Sequence, residues 1–125
     1  MCLFLAGDFH CCDGSLDKIG GSVSIDACLS DFKSAHFVRD AWRLKRPRER
    51  QFTRFNSDLS IASRLHSFLI SRHLCDRLVS YEIHPCVYSD NDFVFLSLDL
   101  HIADVWGQVH GSLITRFCRT RSFVL

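Results

Sequence analysis

Apolar residues in this chain come in short runs, and polar groups interrupt each of them. Residues 3–6, Leu3-Phe4-Leu5-Ala6, meet Gly7-Asp8-Phe9-His10. Ser63-Arg64-Leu65-His66 stands beside the apolar Phe68, Leu69 and Ile70, and Ser89-Asp90-Asn91-Asp92 leads into Phe93-Val94-Phe95-Leu96. Runs this short fit buried strands. They fall well below the roughly 20 apolar residues that a membrane-spanning helix requires. The opening stretch also lacks a basic leader region and reaches Asp8 too early for a signal peptide, so an intracellular, reducing compartment, nuclear or cytoplasmic, is expected.

The spacing between these runs predicts the remaining elements. Residues 7–21 are rich in Gly, Ser and Asp and read as a loop, with Gly20-Gly21 as its breaker. Ile25, Cys28, Leu29 and Phe32 recur at helical spacing, with Ser24 as N-cap and an end near His36. Residues 38–43 read as a connector or short extended piece. Residues 51–56 and 62–71 read as strands, although the period of the second also permits a helix. A helical turn over 71–78, a strand over 78–87 with alternating Val79, Tyr81 and Ile83, and a buried strand over 93–98 follow. Residues 101–125 carry little period and are expected to be a weakly ordered or loosely docked tail. The pattern is α/β (α+β): one main helix on a mostly antiparallel sheet. At 125 residues the chain holds one domain of ordinary size.

Charge and cysteine usage narrow the chemistry. The net charge of +1 argues against a surface that steers nucleic acid as a whole. The basic run from Arg43 to Arg54, six basic residues against Glu49, is a local exception that could touch a phosphate backbone or simply be solvated. The 7 cysteines are odd in number and form no C-x-x-C, a poor basis for disulfides or zinc. His10, Cys11 and Cys12 with His84 and Cys86 are a conceivable metal set; incidental free thiols are the plainer reading. Asp8 taken alone is a solvated acid at a strand end, Trp42 a packing residue, and Arg64 a structural group bonding strand-end carbonyls.

Taken together, G-D-F-H, S-R-L-H and S-D-N resemble three motifs of the endonuclease/exonuclease/phosphatase superfamily. The nearest pattern is the apurinic-endonuclease-like domain of non-LTR retrotransposons, in which they read G-D-F-N, S-R-[IL]-D and S-D-H. Ser15-Leu16-Asp17-Lys18-Ile19-Gly20-Gly21 resembles the loop after the first motif, and Asp40-Ala41-Trp42-Arg43 resembles D-x-W-R. Phe52-Thr53-Arg54-Phe55 stands where an aromatic-Thr-Trp strand is usual. The resemblance covers about residues 3–100.

It implies the C-terminal half of a four-layer α/β/β/α sandwich. The missing N-terminal half-domain, or another chain covering the sheet, would be the partner, with DNA as the candidate substrate. It also implies Mg²⁺-dependent phosphodiester hydrolysis, with Asp8 as the acid that deprotonates water and Asp90 as the acid beside the metal; both are the implied metal residues. Three site positions depart from the pattern: His10 for Asn, His66 for Asp and Asn91 for His. Asn91 can neither carry a proton nor a positive charge, so the imidazole–carboxylate pair of the family is lost. A catalytically degraded fragment is the expectation. The rivals are residual nuclease activity with a separate N-terminal half, and a non-catalytic nucleic-acid-binding module using the basic run.

Overall fold

The strand His66–Ser71 is buried along almost its whole length, as its Phe68-Leu69-Ile70 run requires. In the computed structural model, which describes residues 3–22 and 27–100 and the backbone of 120–124, this strand (β6) is the centre of a three-stranded antiparallel sheet. One neighbour is β1 (Phe4–Asp8), in a register that sets Phe4 opposite Ile70 and Asp8 opposite His66. The other is β3 (Val38–Asp40), with Asp40 opposite Leu69. Short strands β2 (Lys18–Ile19), β5 (Ala62–Ser63) and β4 (Arg54–Phe55) form a small second sheet. The third contains β7 (Leu78–His84), β8 (Phe93–Asp99) and β9 (Thr120–Val124) in that order. Every strand pairing among the described residues is antiparallel, so the chain is a mixed α/β protein built mainly on antiparallel sheets.

The core follows from the alternation in β7 and β8. Tyr81 and Ile83 of one, and Val94, Leu96 and Leu98 of the other, point to a single face. They join Phe68 and Ile70 of β6 in one hydrophobic cluster, so the two larger sheets meet there. The short helix α2 (Ala41–Lys45) inserts Ala41 and Trp42, both fully buried, against β6 and β7. Trp42 and Phe68 each approach the Tyr81 ring edge-on, at 5.4 and 5.9 Å between centroids. Such ring pairs add about 0.5–1.5 kcal/mol each beyond their buried area.

Several boundaries differ from those read in the sequence. Of residues 38–43, expected as a connector or short extended piece, 38–40 are the short strand β3, and helix α2 starts at Ala41; Asp40 ends the strand and caps the helix, its Oδ1 accepting the Trp42 N–H at 2.9 Å. The helix α1 (Ala27–Ala35) is present, but it buries no residue fully, and Cys28 and Phe32 are exposed. Its predicted cap Ser24 lies outside the described residues. The strand expected over 51–56 shrinks to β4; Thr53, just before it, donates its N–H to the Ser63 carbonyl of β5, while its own carbonyl accepts from Asp92 in a loop. The run 62–71 is two strands, parted where Arg64 plunges into the interior. The 7–21 loop contains a 3-10 turn (Ser15–Asp17) and β2. Gly20 is left-handed (φ 72°), and a Cβ there would stand 2.2 Å from the Ser60 carbonyl oxygen, so only glycine fits. The helical turn expected after β6 is a 3-10 helix, Arg72–Arg77. Of the expected tail, residues 101–119 and 125 lie outside the described residues, while 120–124 pair with β8.

Candidate functional site

The end of β1 and the start of β6 bring Asp8 and His66 together. Asp8 Oδ2 is 3.7 Å from His66 Nε2 and 3.5 Å from His10 Nε2; its Oδ1 accepts the His10 backbone N–H at 2.8 Å. That last bond closes a tight turn and holds His10 at φ 53°, a left-handed conformation that Asn, Asp and His adopt more readily than other side chains. His10 itself is largely exposed, whereas the His66 side chain is 15% accessible. Three of the five expected site residues therefore form one cluster.

Asp90 and Asn91 form a second. The Asp90 carboxylate is 3.8 Å from Arg54 Nε and accepts from Asn91 Nδ2 at 3.2 Å, while its backbone carbonyl accepts the Phe55 N–H. Asn91 bridges to Arg54 across the backbone. Asp90 also lines an open cleft of about 670 Å³, with Lys18, Arg54, Phe55, Leu65 and Cys86 among its other walls; Asp8, His10 and His66 do not line it. Thr53 and Arg54 link the two clusters. The Thr53 hydroxyl contacts His66, its carbonyl accepts the Asp92 N–H at 2.7 Å, and Arg54 faces Asp90.

As arranged, these groups do not fit Mg²⁺. That ion takes oxygen ligands in near-ideal octahedral geometry and is commonly held by one or two open carboxylates. Asp8 and Asp90 stand in separate clusters, each with an amide on one oxygen and with basic side chains rather than a second carboxylate beside it, two imidazoles at Asp8 and a guanidinium at Asp90. Among the described residues no group of three or more His, Cys, Asp and Glu side chains is arranged to hold a metal ion. The alternative set around Cys11 and Cys12 is not assembled either. His84 Nε2 is engaged by Glu82 at 2.7 Å, and Cys12 is buried against the Asp17 carbonyl. Burial, with Asp17 second, raises the Cys12 thiol above its usual range.

Beneath the site lies a feature that sequence reasoning missed. Arg64, 2% exposed, donates from Nε to Asp17 Oδ1 at 2.9 Å, from an Nη to Asp40 Oδ2, and from the other Nη to Ser67 Oγ at 3.0 Å. Arg43 also donates to Asp17 Oδ1. Two guanidinium groups and two carboxylates thus balance charge in the interior, as buried charges must. Burial opposes the Arg64 charge, but Asp40 and Asp17 outweigh it and hold the proton more firmly than usual. The partners of Arg64 are therefore carboxylates, not the strand-end carbonyls expected. Bonded pairs in this cluster stand 24 to 47 residues apart, so no local pattern reveals them. Their one signal in the sequence is that each lies in a segment resembling the family pattern, Asp17 in S-L-D-K, Asp40 and Arg43 in D-A-W-R, and Arg64 in S-R-L-H.

The basic run is largely spent on internal contacts. Arg43 serves the buried cluster and the Glu49 carbonyl, Arg46 pairs with Glu49 and lies 5.2 Å over the Trp42 ring, Arg50 reaches the Ser15 carbonyl, and Arg54 faces Asp90. No helix among the described residues is long and apolar enough to cross a membrane. No protein-family model matches the chain, and a search of curated proteins finds no match.

Proposed function

We propose that this chain is a catalytically degraded relative of the apurinic-endonuclease-like nucleases of non-LTR retrotransposons, with a phosphodiesterase-type scaffold that has lost turnover. One observation carries the reading: segments that resemble family motifs, though far apart in the chain, converge. Asp17, Asp40, Arg43 and Arg64 share one ion cluster, and Asp8 lies opposite His66 in register directly beside it. A family scaffold retained after its chemistry decayed would have this form.

The chemistry around it supports loss rather than retention. In the family pattern a carboxylate at position 66 would hold an imidazole at position 91. Here His66 faces Asp8 instead, and Asn91 turns to Asp90 and Arg54. Groups that act as a unit fail as a unit, so one retained acid restores little. His10 is the mildest departure, since its left-handed backbone suits Asn and His alike. The reading carries with it a reducing, intracellular setting, in which free thiols such as Cys12, Cys75 and Cys86 persist.

The test is incubation of the purified chain with supercoiled plasmid and with abasic-site DNA in the presence of Mg²⁺. No cleavage above a metal-free control is expected. Cleavage that vanishes in both Asp8→Ala and Asp90→Ala would overturn the proposal. Repeating the assay with a family N-terminal half added in trans separates lost catalytic groups from activity that needs a partner.

A further inference from the structure

Thr53 is completely buried, and its hydroxyl has three neighbours within hydrogen-bond distance. The backbone N–H groups of Leu65 and His66 lie 3.1 and 3.2 Å from Oγ1, and His66 Nδ1 lies 3.0 Å from it. A hydroxyl oxygen has two acceptor lone pairs and one proton to give. Both amides can only donate, so they fill the lone pairs. The hydroxyl proton is left for the third neighbour, and His66 Nδ1 must accept it. In a neutral imidazole, one nitrogen accepting means the other carries the proton. That other nitrogen, Nε2, is the one turned toward Asp8 Oδ2 at 3.7 Å.

We propose that Thr53 is a positioning residue. Its hydroxyl fixes neutral His66 as the Nε2–H tautomer, so that the ring turns an N–H toward Asp8 and its one lone pair, on Nδ1, is held by the Thr53 hydroxyl. The backbone pins Thr53 in this role: its N–H donates to the Ser63 carbonyl at 3.0 Å, and its carbonyl accepts from Asp92. The inference goes beyond the nuclease reading and does not depend on it, since it rests on hydrogen-bond valence at one oxygen.

Long-range ¹H–¹⁵N correlation spectra of the imidazole rings in the full chain test it, at about pH 8, above the ordinary histidine range. The expected result is a protonated Nε2 and an unprotonated Nδ1 for His66. Thr53→Val should move the Nδ1 frequency as the ring begins to exchange between tautomers, and Thr53→Ser should restore it. Asp8→Asn should leave the tautomer unchanged, and it remains decisive if Thr53→Val fails to fold. A protonated Nδ1 in the unmodified chain overturns the proposal. So does a Thr53→Val spectrum identical to the parent, or a change of tautomer in Asp8→Asn, which would make Asp8 the determinant.

Discussion

At the scale of single residues, the polar groups that matter most to this molecule are those that the folded interior conceals. Asp8 was legible as an acid at a strand end, and the β1–β6 register does put it there, opposite His66. Asp17, Asp40 and Thr53 drew attention only as letters within longer strings, because the property that makes each important is a partner elsewhere in the chain. Arg64 concentrates that property. Replacing it with Met keeps much of the side-chain volume but leaves the Asp40 carboxylate without its cationic partner and Asp17 with Arg43 alone. Removing one member of a buried ion pair costs about 3–5 kcal/mol. Urea unfolding of Arg64→Met should therefore show a loss of that order, a large share of the 5–15 kcal/mol typical of a domain. Arg64→Lys should recover little, since an ammonium cannot span Asp17, Asp40 and Ser67 with a planar fork. A midpoint within error of the parent would show that the cluster contributes no stability.

Secondary elements reveal the opposite error, a strong local signal attached to a weakly held segment. The spacing of Ile25, Cys28, Leu29 and Phe32 is the best helical period in the sequence, and α1 forms where expected. Yet Phe32 is 36% exposed and no residue of α1 is fully buried. Periodicity reports which side chains share a face and carries no information about what covers that face. The segment read as a connector or short extended piece holds Trp42, whose burial comes from contacts with β6 and β7 and from a cap supplied by Asp40. Five residues of helix offer no period to detect. The two elements should therefore respond in inverse order to their visibility. Trp42→Ala should cost about 3–5 kcal/mol, the range for large aromatic truncations in a core. Phe32→Ala should stay near the ±0.5 kcal/mol typical of surface positions, with allowance for its half-buried ring. Parallel chemical-denaturation curves compare them directly; a Phe32→Ala loss equal to that of Trp42→Ala would mean that α1 is bound to the core more tightly than its exposure indicates.

For the molecule as a whole, the critical question is how the sheet of β7, β8 and β9 is closed. β8 is committed to the core: Val94, Leu96 and Leu98 are all fully buried, and both of its edges are occupied. β7 covers one edge and residues 120–124 cover the other, with Phe95 opposite Val124 and Asp99 opposite Thr120. This pairing was invisible in the sequence, where everything beyond Asp99 lacks a regular period, because a strand that adds to an existing edge is specified by the partner's backbone as much as by its own side chains. It also has a consequence for solution behaviour. An unpaired strand of Phe, Val and Leu presents a row of free N–H and C=O groups that templates association. A chain ending at residue 119 should therefore expose the β8 edge. Light scattering after size exclusion should show concentration-dependent association that the intact chain lacks, and the urea midpoint should fall. Adding a charge at the newly opened edge, as in Ser97→Lys, should suppress the association without restoring the midpoint, since it blocks pairing between copies and supplies no ladder of its own. A truncated chain that stays monomeric with an unchanged midpoint would mean that β9 adds nothing to the sheet it closes.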